Sequence, residues 1–112
     1  MRRAARVDAN QASIVSALRA AGVSVAVTSD LGRGFPDLVC FHPGSGLSLV
    51  EVKDGTRPPS GRKLTRMEEE FARVFPVRIA TSAQAAIDML VISPEAQRRH
   101  EETATRAGAR ED

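Results

Sequence analysis

Gly34-Phe35-Pro36-Asp37-Leu38-Val39-Cys40-Phe41, the turn Pro43-Gly44-Ser45-Gly46 and the run Leu47-Ser48-Leu49-Val50-Glu51-Val52-Lys53 form the centre of this chain. Two short apolar runs joined by Pro, Gly and Ser predict a β-hairpin. Successive side chains on a strand point to opposite faces, so Glu51 and Lys53 share one face while Val50 and Val52 share the other. Counting antiparallel pairs outward from the turn sets Phe41 or His42 against Leu47 or Ser48. The same count brings Asp37 near residues 51–53. Two carboxylates and an ammonium are therefore expected at one end of one hairpin.

Carboxylates so placed suit a hard cation with oxygen ligands, and the natural ion is Mg²⁺ or Mn²⁺, bound through one or two carboxylates plus waters and substrate phosphates. A neighbouring lysine orients a water or offsets charge developing on a phosphate. The competing explanation is a solvated strand edge, with Asp37 merely following a turn proline. Composition favours the first reading. Of the sixteen basic residues only Lys53 and Lys63 are lysines, and a compact, strongly hydrated ammonium differs physically from the planar guanidinium that this chain uses elsewhere.

Outward from the hairpin, the apolar positions Ala12, Ile14, Val15, Leu18 and Ala21 recur at helical spacing. Asp8 is expected to cap that helix and Gly22 to end it, with residues 1–7 a loose basic segment. Val23 to Thr28 alternates and is rich in β-branched residues, which predicts a first strand. Ser29 to Gly34, including Arg33, is read as a loop entering the hairpin. Asp54 to Lys63 is polar and aperiodic, and Arg57, Arg62 and Lys63 on it, with Arg33 on the loop before the hairpin, are candidates for phosphate contacts, against the alternative of a solvated connection. Thr65-Arg66-Met67-Glu68 is a capping box that opens a second helix through Phe71 and Val74, stopped by Pro76. Val77 to Ala80 reads as a fourth strand, and Ser82 caps a third helix with Ala86, Ile87 and Leu90 as its apolar stripe. The expected class is α/β, a mixed sheet flanked by helices.

The motif pair Pro36-Asp37 and Glu51-Val52-Lys53 resembles the signature of the PD-(D/E)xK nucleases, and the element order matches their restriction-endonuclease-like α-β-β-β-α-β core over about residues 8 to 91. Asp8-x-x-Gln11, Gly34-x-Pro36-Asp37, and Leu64-Thr65 with Glu68 and Phe71 resemble in particular the compact VRR-NUC nucleases, small phage-borne forms of which are similar to Holliday-junction resolvases. The resemblance implies a metal-dependent endonuclease that hydrolyses phosphodiester bonds in DNA, selecting branched structure over sequence. It implies that Asp37, Glu51 and the backbone carbonyl of Val52 hold Mg²⁺ or Mn²⁺, and that Lys53 positions the attacking water. Family members typically carry a glutamate on the first helix, which this chain lacks there, so either Gln11 or Asp8 is expected in its place or the position is unused. They often have Gln where Glu68 stands, although a capping-box role accounts for that glutamate. Two cuts in a symmetric junction further imply a homodimer. The rival readings are a non-catalytic nucleic-acid-binding module that keeps the fold, and a protein-interaction domain.

The rest of the chain sets bounds. It has 112 residues and a formal net charge of +2, which suits one domain over residues 1–93 and does not by itself announce nucleic acid. Residues 94–112 contain no Val, Ile, Leu, Met or Phe and are expected to form a frayed polar tail. The single cysteine, Cys40, permits no internal disulfide. The basic amino terminus lacks the apolar run of a signal peptide, and no apolar stretch reaches membrane-spanning length. An intracellular, cytoplasmic protein of a bacterial or phage-infected cell is expected. His42 and His100 have no Cys or His partner at zinc spacing.

Overall fold

The computed structural model describes residues 2–58 and 63–91, with side chains from residue 9 onward. Helix α1 (Arg2–Ala20) leads into strand β1 (Ser24–Val27) and a single 3₁₀ turn, Ser29–Leu31. Strands β2 (Leu38–His42) and β3 (Gly46–Val52) follow, then helix α2 (Arg66–Val74), strand β4 (Val77–Ala80) and helix α3 (Ala83–Leu90). The sheet runs β1-β2-β3-β4. Its first three strands are antiparallel and β4 lies parallel to β3, so the sheet is mixed. No helix among the described residues is long and apolar enough to cross a membrane.

The helix ends follow local chemistry. Gly22, at φ 90°, closes α1 in a Schellman motif: its N–H donates to the Arg19 carbonyl and the Val23 N–H to that of Leu18. Val23 and Leu18 are then both buried, the apolar contact that accompanies this cap. Asp8 is not the start of the helix. Residues 2–7 are Arg, Ala and one Val, mostly strong helix formers, and α1 extends through them to Arg2. The capping box of α2 is present in both directions, Thr65 Oγ1 accepting from the Glu68 N–H and Glu68 Oε1 from the Thr65 N–H. Ser82 Oγ caps α3 by accepting from the Ala85 N–H at 3.1 Å.

The core lies between the sheet and the pair α1 and α3. Ile14, Val15 and Leu18 of α1 and Ala86 and Leu90 of α3 close over Leu38, Cys40, Val50, Val52 and Ala80 of the sheet. With almost no aromatic rings on this side, the packing depends on branched aliphatic side chains. Burial pushes the Cys40 thiol up to about 11, so it behaves as a small apolar side chain. Among the described residues, α2 stands at one end of the other sheet face, where Phe71 packs edge-on against Phe35 of the loop before β2 at 5.2 Å and stacks on Phe75 at 4.5 Å.

The loop before β2 is fixed against α2. Gly34 has φ 80°, and a Cβ there would run into the Met67 carbonyl, so the close approach of loop and helix requires glycine. Pro36 is fully buried, and its carbonyl accepts from Thr28 Oγ1 at 2.8 Å while the Asp37 carbonyl accepts from the Thr28 N–H at 2.7 Å. Pro36-Asp37 is thereby tied to the end of β1. The expected tail, residues 94–112, and Arg62 lie outside the described residues.

Candidate functional site

The hairpin register sets the site. Phe41 pairs with Leu47 and Leu38 with Val50, so Asp37, one residue before β2, reaches the end of β3. There its Oδ2 accepts a hydrogen bond from the Val52 N–H at 2.8 Å. Lys53 leaves β3 with its N–H donated to the Ala80 carbonyl at 3.0 Å, which holds it beside β4. Its side chain crosses to α2, where Nζ lies 2.9 Å from Glu68 Oε1. Both partners of this ion pair are nearly covered, at 17% and 16% side-chain exposure. Asp37, Glu51, Val52 and Lys53 thus line one cavity of about 270 Å³, together with Asn10, Asp54, Arg57 and Glu68.

Glu51 is the unusual member. It is only 4% exposed, under α2 on the sheet face opposite the core. Burial pushes its carboxyl up to about 10, and the neighbouring carboxylates Asp37 and Glu68 add to the shift by hydrogen bonding and by repulsion. At neutral pH the carboxyl therefore keeps its proton, which relieves the repulsion among the three acids. Glu68 is shifted the other way. Burial alone would raise it, but the Thr65 N–H and the Lys53 ammonium outweigh burial and hold it below its ordinary value. The cavity is lined by four acidic side chains against two basic ones, in a chain whose formal net charge is +2. Among the described residues, no three His, Cys, Asp or Glu side chains are arranged as a complete metal-ligand set. A pair of carboxylates with waters is still enough for Mg²⁺.

The other candidates distribute differently. Gln11 points away from this cavity; its Nε2 donates to Ser29 Oγ at 3.2 Å and it lines a separate groove with Ala12, Val15, Ser16, Arg19 and Val27. Asp8 is interior to α1, and its side chain lies outside what is described. The residue that α1 does deliver is Asn10, whose Nδ2 donates to the Lys53 carbonyl at 3.2 Å. Asn10 stands four residues before Ile14 and eight before Leu18, so it continues the core-facing stripe of the helix, a signal already in the spacing. Glu68 was accounted for by the capping box alone; it serves the cap and Lys53 with the same oxygen. Arg57 lines the cavity, whereas Arg33 and Lys63 are exposed and are not among its lining residues. His42 accepts from the Gly44 N–H through Nδ1 and so serves the turn.

Comparison of the chain with protein-family models, with curated proteins and with solved structures gives no match.

Proposed function

We propose that this chain is a metal-dependent endonuclease of the PD-(D/E)xK type, acting on phosphodiester bonds in DNA of branched structure. The observation that carries the reading is the convergence of Asp37, Glu51 and Lys53 in one acid-rich cavity, from two strands joined by one hairpin. The α-β-β-β-α-β order, with an antiparallel hairpin followed by a parallel strand, supports it in turn. Asp37, Glu51 and the Val52 carbonyl would hold Mg²⁺ or Mn²⁺, and such an ion supplies Lewis-acid stabilisation of charge on the phosphate and its leaving oxygen.

The residues themselves have distinct tasks. Asp37 spends Oδ2 on the Val52 N–H, which fixes the carboxylate at the strand end and holds the Val52 peptide in place. Glu51 would hold the cation as a carboxylate, releasing its proton to solvent, since either positive charge would relieve the repulsion from Asp37 and Glu68. Lys53, held by Glu68, keeps an ammonium at the cavity to orient a water for attack. Asn10 anchors the Lys53 carbonyl, so the backbone that carries the ammonium is tied to α1. Arg57 supplies positive charge toward a phosphate backbone, contacts that position a nucleic acid without reading its sequence.

A first helix that brings the neutral Asn10 to the cavity and no glutamate favours a second reading, a nucleic-acid-binding module without catalysis. Calorimetric titration with Mn²⁺ separates the two. The nuclease reading predicts saturable binding that Asp37→Asn abolishes while circular dichroism shows the fold retained. Binding unchanged in that variant, or none in the parent protein, removes the metal site and leaves the binding module.

A further inference from the structure

Strand β1 is one outer edge of the sheet, paired only with β2. In that antiparallel pair the Thr28 N–H donates to the Asp37 carbonyl, and hydrogen-bonded pairs alternate with open ones. Ser24 and Ala26 therefore bond toward β2, while Val25 and Val27 turn their backbone groups outward. Arg19 Nη2 covers the Val25 carbonyl at 3.0 Å. Among the described residues, nothing meets the N–H or the carbonyl of Val27.

Beside this edge runs a groove of about 490 Å³, the size of an ordinary ligand pocket, with α1 as its other wall. Ala12, Val15 and Val27 give it an apolar lining. Val27 shares its face with Val25, which packs on the core, yet is 50% exposed. Gln11 is only 9% exposed; one end of its amide donates to Ser29 Oγ, and the other meets no partner among the described residues. A polar group so covered calls for a partner. The helix wall is basic, with Arg2, Arg3, Arg6 and Arg19 on α1 against one acid, Asp8.

We infer that this groove takes an extended, acidic segment of a partner protein, which adds a strand to β1. A second backbone supplies both the acceptor and the donor that Val27 lacks, and alternate side chains of an added strand reach into the groove over Ala12 and Val15. Acidic side chains complement Arg19 and the helix that carries it. The same charge disfavours β1 of a second copy, since that pairing sets two basic helices side by side. A phosphate backbone offers no donor to the Val27 carbonyl. The inference rests on the edge and its groove, away from the acid cavity, and stands whether or not the chain cuts DNA.

Selection of a random linear peptide library on the full chain, with the selected peptides then titrated by fluorescence anisotropy, tests it. The peptides should alternate apolar with acidic residues. Val27→Pro removes the outward N–H at an edge position where proline is tolerated, and should weaken binding by about tenfold or more with circular dichroism and thermal unfolding like the parent. Ala12→Glu, at an exposed position of the helix wall, gives the same readout should the proline variant fail to fold. Arg19→Glu should turn the selected peptides from acidic to basic. Ile79→Ser, on the opposite edge strand, should leave binding intact. A selection that enriches no peptide overturns the inference, as does binding that both Val27→Pro and Ala12→Glu leave at parental strength. Binding that a short DNA duplex displaces equally from the parent and from Val27→Pro marks a merely basic surface, and a dimer that Val27→Pro dissociates gives the edge to a second copy; either result overturns it too.

Discussion

A carboxyl group that is 4% exposed and faces two other acids is costly to ionise, and Glu51 is such a group. Its folded pKa, about 10, lies above its ordinary 4.5. The folded state therefore binds the proton more tightly than the unfolded chain does, so the stability this proton contributes is full below about pH 4.5 and drains away as pH rises toward about 10. Without divalent ions, the parent protein should lose stability to urea between about pH 5 and about pH 9, and Glu51→Gln, which cannot ionise, should show a flatter profile over that window. Parallel profiles would mean that Glu51 is ionised in the folded protein. Residue-scale detail was only partly legible in the sequence. Asp37, Glu51 and Lys53 were readable because alternation and turn length fix which residues meet across a hairpin. Glu68 was not, since its second partner comes from a strand fifteen residues away and local spacing carries no trace of that reach. Asn10 and Gln11 are neighbours about 100° apart on α1, and choosing between them requires the helix phase relative to the sheet.

At the scale of elements, the junction between the loop before β2 and the start of α2 is the most constrained. Gly34 carries a left-handed φ of 80° against the Met67 carbonyl. Gly34→Ala adds the left-handed penalty of about 1–2 kcal/mol and also forces the loop away from α2. Its melting temperature should fall by more than about 4–8 °C, the shift that corresponds to roughly 1 kcal/mol in a domain of this size. Gly46→Ala, at φ 75° with open space around it, should cost only the backbone penalty. Equal losses in the two variants would contradict the tight contact. Thr65→Ala, which removes one arm of the capping box, should cost about 0.5–2 kcal/mol, read from the urea midpoint at constant slope. The capping box, the Ser82 cap, the Gly22 stop and the hairpin were legible because each rests on contacts within a few residues. The start of α1 was misplaced because a good N-cap residue, Asp8, sits downstream of residues that continue a helix without one. Burial of one sheet face and exposure of the other is a property of how elements stack, which the near-continuous apolar runs of β2 and β3 left open.

Over the whole molecule, the acids and the ammonium gather under α2 at one end of the sheet face opposite the core, and uncharged strand residues occupy the other. Cleavage of a four-way DNA junction, beside linear, nicked and flapped controls, is the assay that decides the proposed hydrolysis of DNA at Asp37, Glu51 and Lys53 with a divalent ion. The junction should be cut in Mg²⁺, and cutting should stop when the ion is chelated. Activity should fall by about a hundredfold or more in Asp37→Asn, which loses a carboxylate, and in Lys53→Arg, whose guanidinium cannot hold the position of the ammonium, with both variants folded. No cleavage of any DNA by the parent protein in Mg²⁺ or Mn²⁺, or a Lys53→Arg protein as active as the parent, would contradict it.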